Sequence, residues 1–111
     1  MQYLENFFVL FLFLFLTSCG NDSNSIFVKT EIKDRKFYPE VIEVEAGRKI
    51  ILEVINHDSS AEEFESEDLH REKLVPPNSS IKVIFAPLSA GIYHFFGDFN
   101  KDTAQGKIIV K

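Results

Sequence analysis

The sequence holds one cysteine, one methionine and no tryptophan among 111 residues. A single Cys excludes an intrachain disulfide framework and any metal site built from several thiolates of one chain. Positive charge is also short, 12 Lys plus Arg against 17 Asp plus Glu. With a net charge of -5 and no Lys/Arg cluster, a nucleic-acid backbone finds no basic face to meet. No Ser/His/Asp arrangement, HExxH or phosphate-binding loop is present, so no enzymatic activity is expected. The length allows one small domain with a thin core and excludes two.

What is abundant is phenylalanine, 12 in all, and it is unevenly spread. Residues 1–19 carry five of the twelve, and Phe7 to Leu16 is an uninterrupted apolar run. Ten helical residues span roughly 15 Å, about half of a bilayer's hydrocarbon core, so a stable transmembrane helix is not expected. The run has instead the length of a signal-peptide hydrophobic region, followed by small residues at Thr17, Ser18, Cys19 and Gly20. The tetrad Leu16-Thr17-Ser18-Cys19 resembles the lipobox of bacterial lipoproteins. That resemblance implies cleavage before Cys19 and a diacylglycerol on its thiol, leaving residues 1–18 as the signal peptide. The stretch before the apolar run departs from the pattern, since it has no Lys or Arg and carries Glu5. The alternative is an ordinary secretory signal with an incidental Cys. Either way the chain is expected outside the cytoplasm. Gly20 rather than Asp after the Cys favours the outer membrane where two membranes exist.

Residues 20–25 (GNDSNS) read as a polar tether, so 19–25 are lipidated Cys plus tether and 26–111 the domain. Without residues 1–19 the balance is 12 Lys plus Arg against 16 Asp plus Glu, or -4. The domain reads as strands at 26–33, 41–44, 49–55, 80–85, 91–96 and 105–111, rich in Ile, Val and Phe and separated by Gly or Pro. Six or more short strands in so short a domain predict an all-β, antiparallel sandwich or barrel. Ser66 to Lys73 reads as one short helical turn capped by Ser66.

The order of features resembles a cupredoxin domain over essentially all of residues 26–111. Its first half is borne by Phe37-Tyr-Pro39, Ile42-Glu-Val44, Ala46-Gly47, Ile50 to Val54 and Asn56. Its second is borne by Pro87-Leu88, Ala90-Gly91-Ile-Tyr93 and Gln105-Gly106-Lys-Ile-Ile-Val110. The resemblance implies a Greek-key β-sandwich of six to eight strands, with Tyr93 at the entry to a core strand. A blue-copper centre uses two imidazoles, a thiolate and usually a weak axial Met. The family register puts Glu62, Gly97, Asn100 and Ala104 at those four places. No type 1 copper is therefore expected, and no simple electron transfer.

The chain is also similar to small exported cupredoxin-like proteins that lack copper ligands and occur with ferrous-iron permease systems. Ala61 to Ser66, Leu69, Arg71-Glu-Lys73, Tyr93 to Phe99 and Thr103-Ala104 carry that likeness, although Asn100 replaces a His common there. Glu62, Glu63, Glu65, Glu67 and Asp68 crowd together, flanked by His57 and His70, with Asp98 near across the fold. Oxygen-rich sites of this kind suit Fe(II), Mn(II) or Ca(II). In a strand, Glu63 and Glu65 share one face while Phe64 enters the core. Candidate ligands are thus Glu62, Glu63, Glu65 and Asp98; against this, Arg71 and Lys73 could pair with the carboxylates on a solvated surface. His94 is expected to face solvent, His57 to serve a turn, and Phe95, Phe96 and Phe99 to fill the core, the alternative being a partner-binding patch.

Three functions follow. The first is a lipid-anchored accessory to uptake of iron or another metal ion, its cofactor an Fe or Cu ion outside type 1 geometry and its partner a permease or other membrane transporter. The second is a non-metal module docking a membrane partner through residues 62–73, with His70, Arg71 and Lys73 on its surface. The third is copper electron transfer.

Overall fold

A computed structural model describes residues 24–111, and they form nine strands, most of them with alternating apolar side chains. They are β1 (Ser25–Lys33), β2 (Lys36–Tyr38), β3 (Val41–Val44), β4 (Lys49–Asn56) and β5 (Glu62–Ser66), then β6 (Arg71–Val75), β7 (Ser79–Phe85), β8 (Gly91–Gly97) and β9 (Gln105–Val110). One sheet has the order β2-β1-β4-β7 and the other β3-β9-β8-β5-β6. Residues 1–23, including Cys19 and most of the tether, lie outside the described part.

The sandwich has the expected class but is not purely antiparallel. β1 runs parallel to β4 from Ser25↔Lys49 to Ile32↔Asn56, and β3 runs parallel to β9. Parallel neighbours need a crossover, and the passage from β2 to β3 supplies it by carrying the chain into the second sheet.

In β4, Ile50, Leu52 and Val54 are buried and their odd-numbered neighbours are not, the period of two that a half-buried strand requires. The same rule sends Ile42 and Val44, Val83 and Phe85, and Ile108 and Val110 inward. Between the sheets Phe37, Phe64 and Phe95 form an aromatic cluster, with ring centroids 4.9, 5.1 and 6.5 Å apart. The two edge-to-face pairs, Phe37 with Phe64 and Phe37 with Phe95, add about 0.5–1.5 kcal/mol each beyond the area they bury. Tyr93 enters β8 with its hydroxyl donating to Ser89 O at 2.8 Å, the backward bond of a tyrosine corner.

The helical turn expected over Ser66–Lys73 is a hairpin instead. Ser66 does accept from Leu69 N at 3.1 Å, as a helix cap would. His70 then takes a φ of 56°, which ends any helix, and β6 pairs back along β5. The short helical element lies elsewhere, a 3₁₀ turn at Asp98–Asn100 between β8 and β9.

Asn56, at the end of β4, is buried and fixes the approach to β5. Its side-chain amide donates to the carbonyls of Ser60, Val75 and Pro76, while its oxygen accepts from Asp58 N at 2.9 Å. These bonds hold the β4–β5 loop against the end of β6, so β5 starts from a fixed point.

Candidate functional site

β5 alternates as buried, half-buried, buried, half-buried, buried. Phe64 therefore enters the core while Glu63 and Glu65 face out, as the strand period requires. Glu62 shares the inward face and is only 2% exposed.

Glu62 ends in a knot of donors. Its Oε1 accepts from Glu63 N at 2.9 Å and Phe99 N at 2.8 Å. Its Oε2 accepts from Asn100 Nδ2 at 2.9 Å. Gly97 closes the knot: a Cβ there would stand 2.5 Å from Glu62 Cδ and 2.8 Å from Ala104 Cβ. Gly97 N in turn donates to Ala104 O at 2.9 Å. The four positions that the family resemblance sets at ligand places thus converge at one end of the sandwich. Their side chains do not fit a blue-copper centre. Gly97 offers no donor atom, Ala104 offers a methyl, and Glu62 is taken up by the Asn100 amide and by two backbone N–H groups. A carboxylate and an amide fill the space instead.

The second arrangement lies on the outer face of the same strand. The pairings Glu63↔Leu74 and Glu65↔Glu72 bring Glu72 beside the two β5 carboxylates. One oxygen from each of Glu63, Glu65 and Glu72 can be chosen so that all lie within 4.8 Å of one another. Asp98 stands near enough for its charge to act on Glu63 and Glu65, and its own Oδ1 is 3.4 Å from Lys101 Nζ. Partial loss of solvent, a hydrogen bond with Glu72, and the charges of Glu72, Asp98 and Glu65 push Glu63 up to about 7. Glu65 is raised too, first by desolvation and then by Asp98 and Glu72, with Lys101 opposing.

Of the expected site residues, Glu63 and Glu65 are brought together, Asp98 is near, and Glu62 is turned to the opposite side of the strand. Glu72 was not foreseen. Its signal was the alternation in Arg71-Glu72-Lys73, visible only once that segment is read as a strand. The same alternation sends Arg71 and Lys73 away from the acids. Arg71 donates to Leu69 O and Ile84 O, with its guanidinium 5.2 Å from the Phe85 ring centroid. Lys73 donates to Lys82 O at 2.9 Å. Surface pairing of these cations with the β5 carboxylates is therefore not what the structure shows. His70 is exposed at the hairpin turn.

The neighbours resolve as follows. His94 faces solvent, 3.5 Å from Asp68, and His57 binds Glu31 at 2.6 Å beside its turn. Phe95 fills the core and Phe96 is half-buried, with Lys101 Nζ 5.3 Å from its centroid. Phe99 is 53% exposed, a correction to the core position expected for it. Glu62 holds its N–H inward, and the 3₁₀ turn buries none of its residues, so the ring points out.

A group raised from 4.5 to about 7 binds its proton more tightly folded than unfolded. Its contribution to stability is fully present below 4.5 and is lost as pH rises through about 7. Substituting Glu72→Gln removes one charge and turns an acceptor into a donor toward Glu63. Urea midpoints should show E72Q above wild type on the alkaline side of this window, and the gap should close on the acid side.

Residues 6–110 match the family described as "Cupredoxin-like domain". A relative in Rickettsia prowazekii (strain Madrid E), the uncharacterized protein RP394, is 55% identical over 89 residues, 80% of this chain and 71% of that protein. Among solved structures, the metal-binding domain of the Cu(I)-exporting P-type ATPase CopA of Streptococcus pneumoniae D39 superposes with a TM-score of 0.71. It is 12% identical and the match covers 79% of this chain and 87% of that one. Auracyanin A, a blue copper protein of Chloroflexus aurantiacus, gives a TM-score of 0.67 at 14% identity, over 78% and 99%. Such identities establish the fold, and the match over nearly the whole chain establishes the rest: the chain belongs to the cupredoxin-like domain family.

Proposed function

We propose that this chain is an extracytoplasmic binding protein, held to a bacterial membrane by a lipid on Cys19, that serves as an accessory to uptake of iron or another hard divalent cation. It has no type 1 copper and no catalysis of its own, and it works beside a permease or other membrane transporter. One observation carries the cation reading: Glu63, Glu65 and Glu72 converge on one sheet face while Arg71 and Lys73 bond to carbonyls elsewhere. Three carboxylates so placed share either a proton or a cation. Oxygen donors alone suit Fe(II), Mn(II) or Ca(II) better than copper.

Anaerobic calorimetric titration with Fe(II), Mn(II), Zn(II), Cu(I) and Cu(II) tests this. Fe(II) or Mn(II) should bind with release of protons in the range where Glu63 titrates, and binding should be lost in an E63Q/E65Q double variant. No heat and no metal retained on desalting would remove the reading, and an intense blue colour with Cu(II) would replace it with electron transfer.

A second reading, a module that docks a membrane partner without metal, draws on Leu74 and Phe99. They are 52% and 53% exposed beside the acidic residues Glu63 and Asp98. Retained association with a membrane protein by a metal-free E63Q/E65Q variant would favour it.

A further inference from the structure

The outer face of the β2-β1-β4-β7 sheet carries an apolar row that no core position explains. Phe27 lies opposite Ile51, and Ile51 opposite Ile84, so the three form one line across β1, β4 and β7. Phe27 is 70% exposed and Ile84 49%. The adjoining outward rows are Ser25 with Lys49 on one side and Lys29, Glu53 and Lys82 on the other. Three lysines and one glutamate therefore flank the apolar line, in a domain (residues 26–111) whose balance is -3, 12 cations against 15 acids. Lys29 also stands 3.9 Å from Glu31 in the next row. The acids Glu63, Glu65 and Glu72 face out from the other sheet, on the far side of the sandwich.

We propose that this row is a membrane-contact face: Phe27, Ile51 and Ile84 enter the headgroup region of an anionic bilayer, and Lys29, Lys49 and Lys82 meet its phosphates. The proposal rests on the lipid anchor at Cys19. From Cys19 to Ser25, where β1 begins, are six residue steps, at most roughly 22 Å at full extension. The apolar row lies at that same end of β1, so the anchor and the row meet one bilayer together. An apolar strip rimmed by lysine is the chemistry by which a surface lies on a membrane without crossing it. In this pose the acidic face points away from the lipid, open to solvent and to whatever delivers or accepts a cation.

The chain has no Trp, so one introduced indole reports from one place. The full processed chain is reconstituted in vesicles of phosphatidylglycerol and phosphatidylcholine, carrying either Phe27→Trp or, on the acidic face, Leu74→Trp. F27W emission should move to the blue and be quenched by acyl-brominated lipid, while L74W should stay open to acrylamide. Adding Ile84→Ser to F27W should weaken the lipid quenching several-fold. Equal acrylamide access at both positions, in protein shown by mass spectrometry to carry lipid on Cys19, overturns the face and leaves the anchor standing. If Cys19 carries no lipid, the anchor reading falls by itself. Quenching of the unlipidated F27W chain by the same vesicles then supports the face, and its absence overturns it. Protection of F27W without vesicles also overturns it. Rising with protein concentration, that protection would assign the row to a second copy.

Discussion

Glu62→Ala should cost about 3–5 kcal/mol, a large share of the roughly 5–15 kcal/mol that holds a domain together. The truncation strips the acceptor from Glu63 N, Phe99 N and Asn100 Nδ2 at once and leaves a hole against Gly97. Buried donors without partners each cost about 1–3 kcal/mol, more than the hydrogen bond itself contributes net. Glu62→Gln should be far milder, about 1 kcal/mol. Its oxygen can stay with the two backbone N–H groups, and Asn100 can turn its amide over to accept from the new NH2. Urea midpoints of wild type, E62Q and E62A measure this directly. Equal midpoints for E62A and wild type would mean that the carboxylate does not hold this end of the sandwich.

Gly97→Ala is the companion test, and its sign depends on the same residue. The added methyl meets Glu62 Cδ and Oε2 at 2.5 Å and Ala104 Cβ at 2.8 Å, both below any separation that real carbon atoms keep. Neither neighbour yields cheaply, since Glu62 is fastened by three donors and Ala104 O by Gly97 N. Overpacking of this kind costs about 1–3 kcal/mol. In the E62A background the clash with Glu62 is gone while that with Ala104 Cβ at 2.8 Å remains, so the G97A penalty should shrink. The coupling in that double-mutant cycle should reach about 1–2 kcal/mol. Additive effects would separate Gly97 from the Glu62 knot. The cycle bears also on Gly97→Cys: a sulfur placed there meets a carboxylate already seated, so a thiolate ligand cannot be restored by one change.

How much of this was legible in the sequence depended on where each residue's partners lie. Strands β1, β3, β4, β7, β8 and β9 could be read because a strand with one buried face alternates, as Ile50, Leu52 and Val54 do. β6 could not. It is an edge strand with four of its five residues exposed, so Arg71-Glu-Lys-Leu shows no apolar period and passes for a polar turn. β2 is three residues long, too short for a period to show. Family order grouped Glu62 with Gly97, Asn100 and Ala104, and the fold brings these four together. The burial of Glu62 and its three donors could not be foreseen, because Phe99 and Asn100 are 37 and 38 residues away. Glu72 escaped for a simpler reason, since its place beside Glu63 and Glu65 exists only after the unread hairpin closes.

The contacts of Arg71 and Lys73 have a consequence for how copies of this domain meet. β6 and β7 end their respective sheets on the same side of the sandwich, and an unpaired strand edge is a template for another chain's strand. Here the edge carbonyls of Lys82 and Ile84 already accept from Lys73 and Arg71. An arriving strand would have to displace two cations before it could extend the sheet. Side chains that sequence order grouped with the acids therefore cap part of this edge and raise the cost of adding a strand to it.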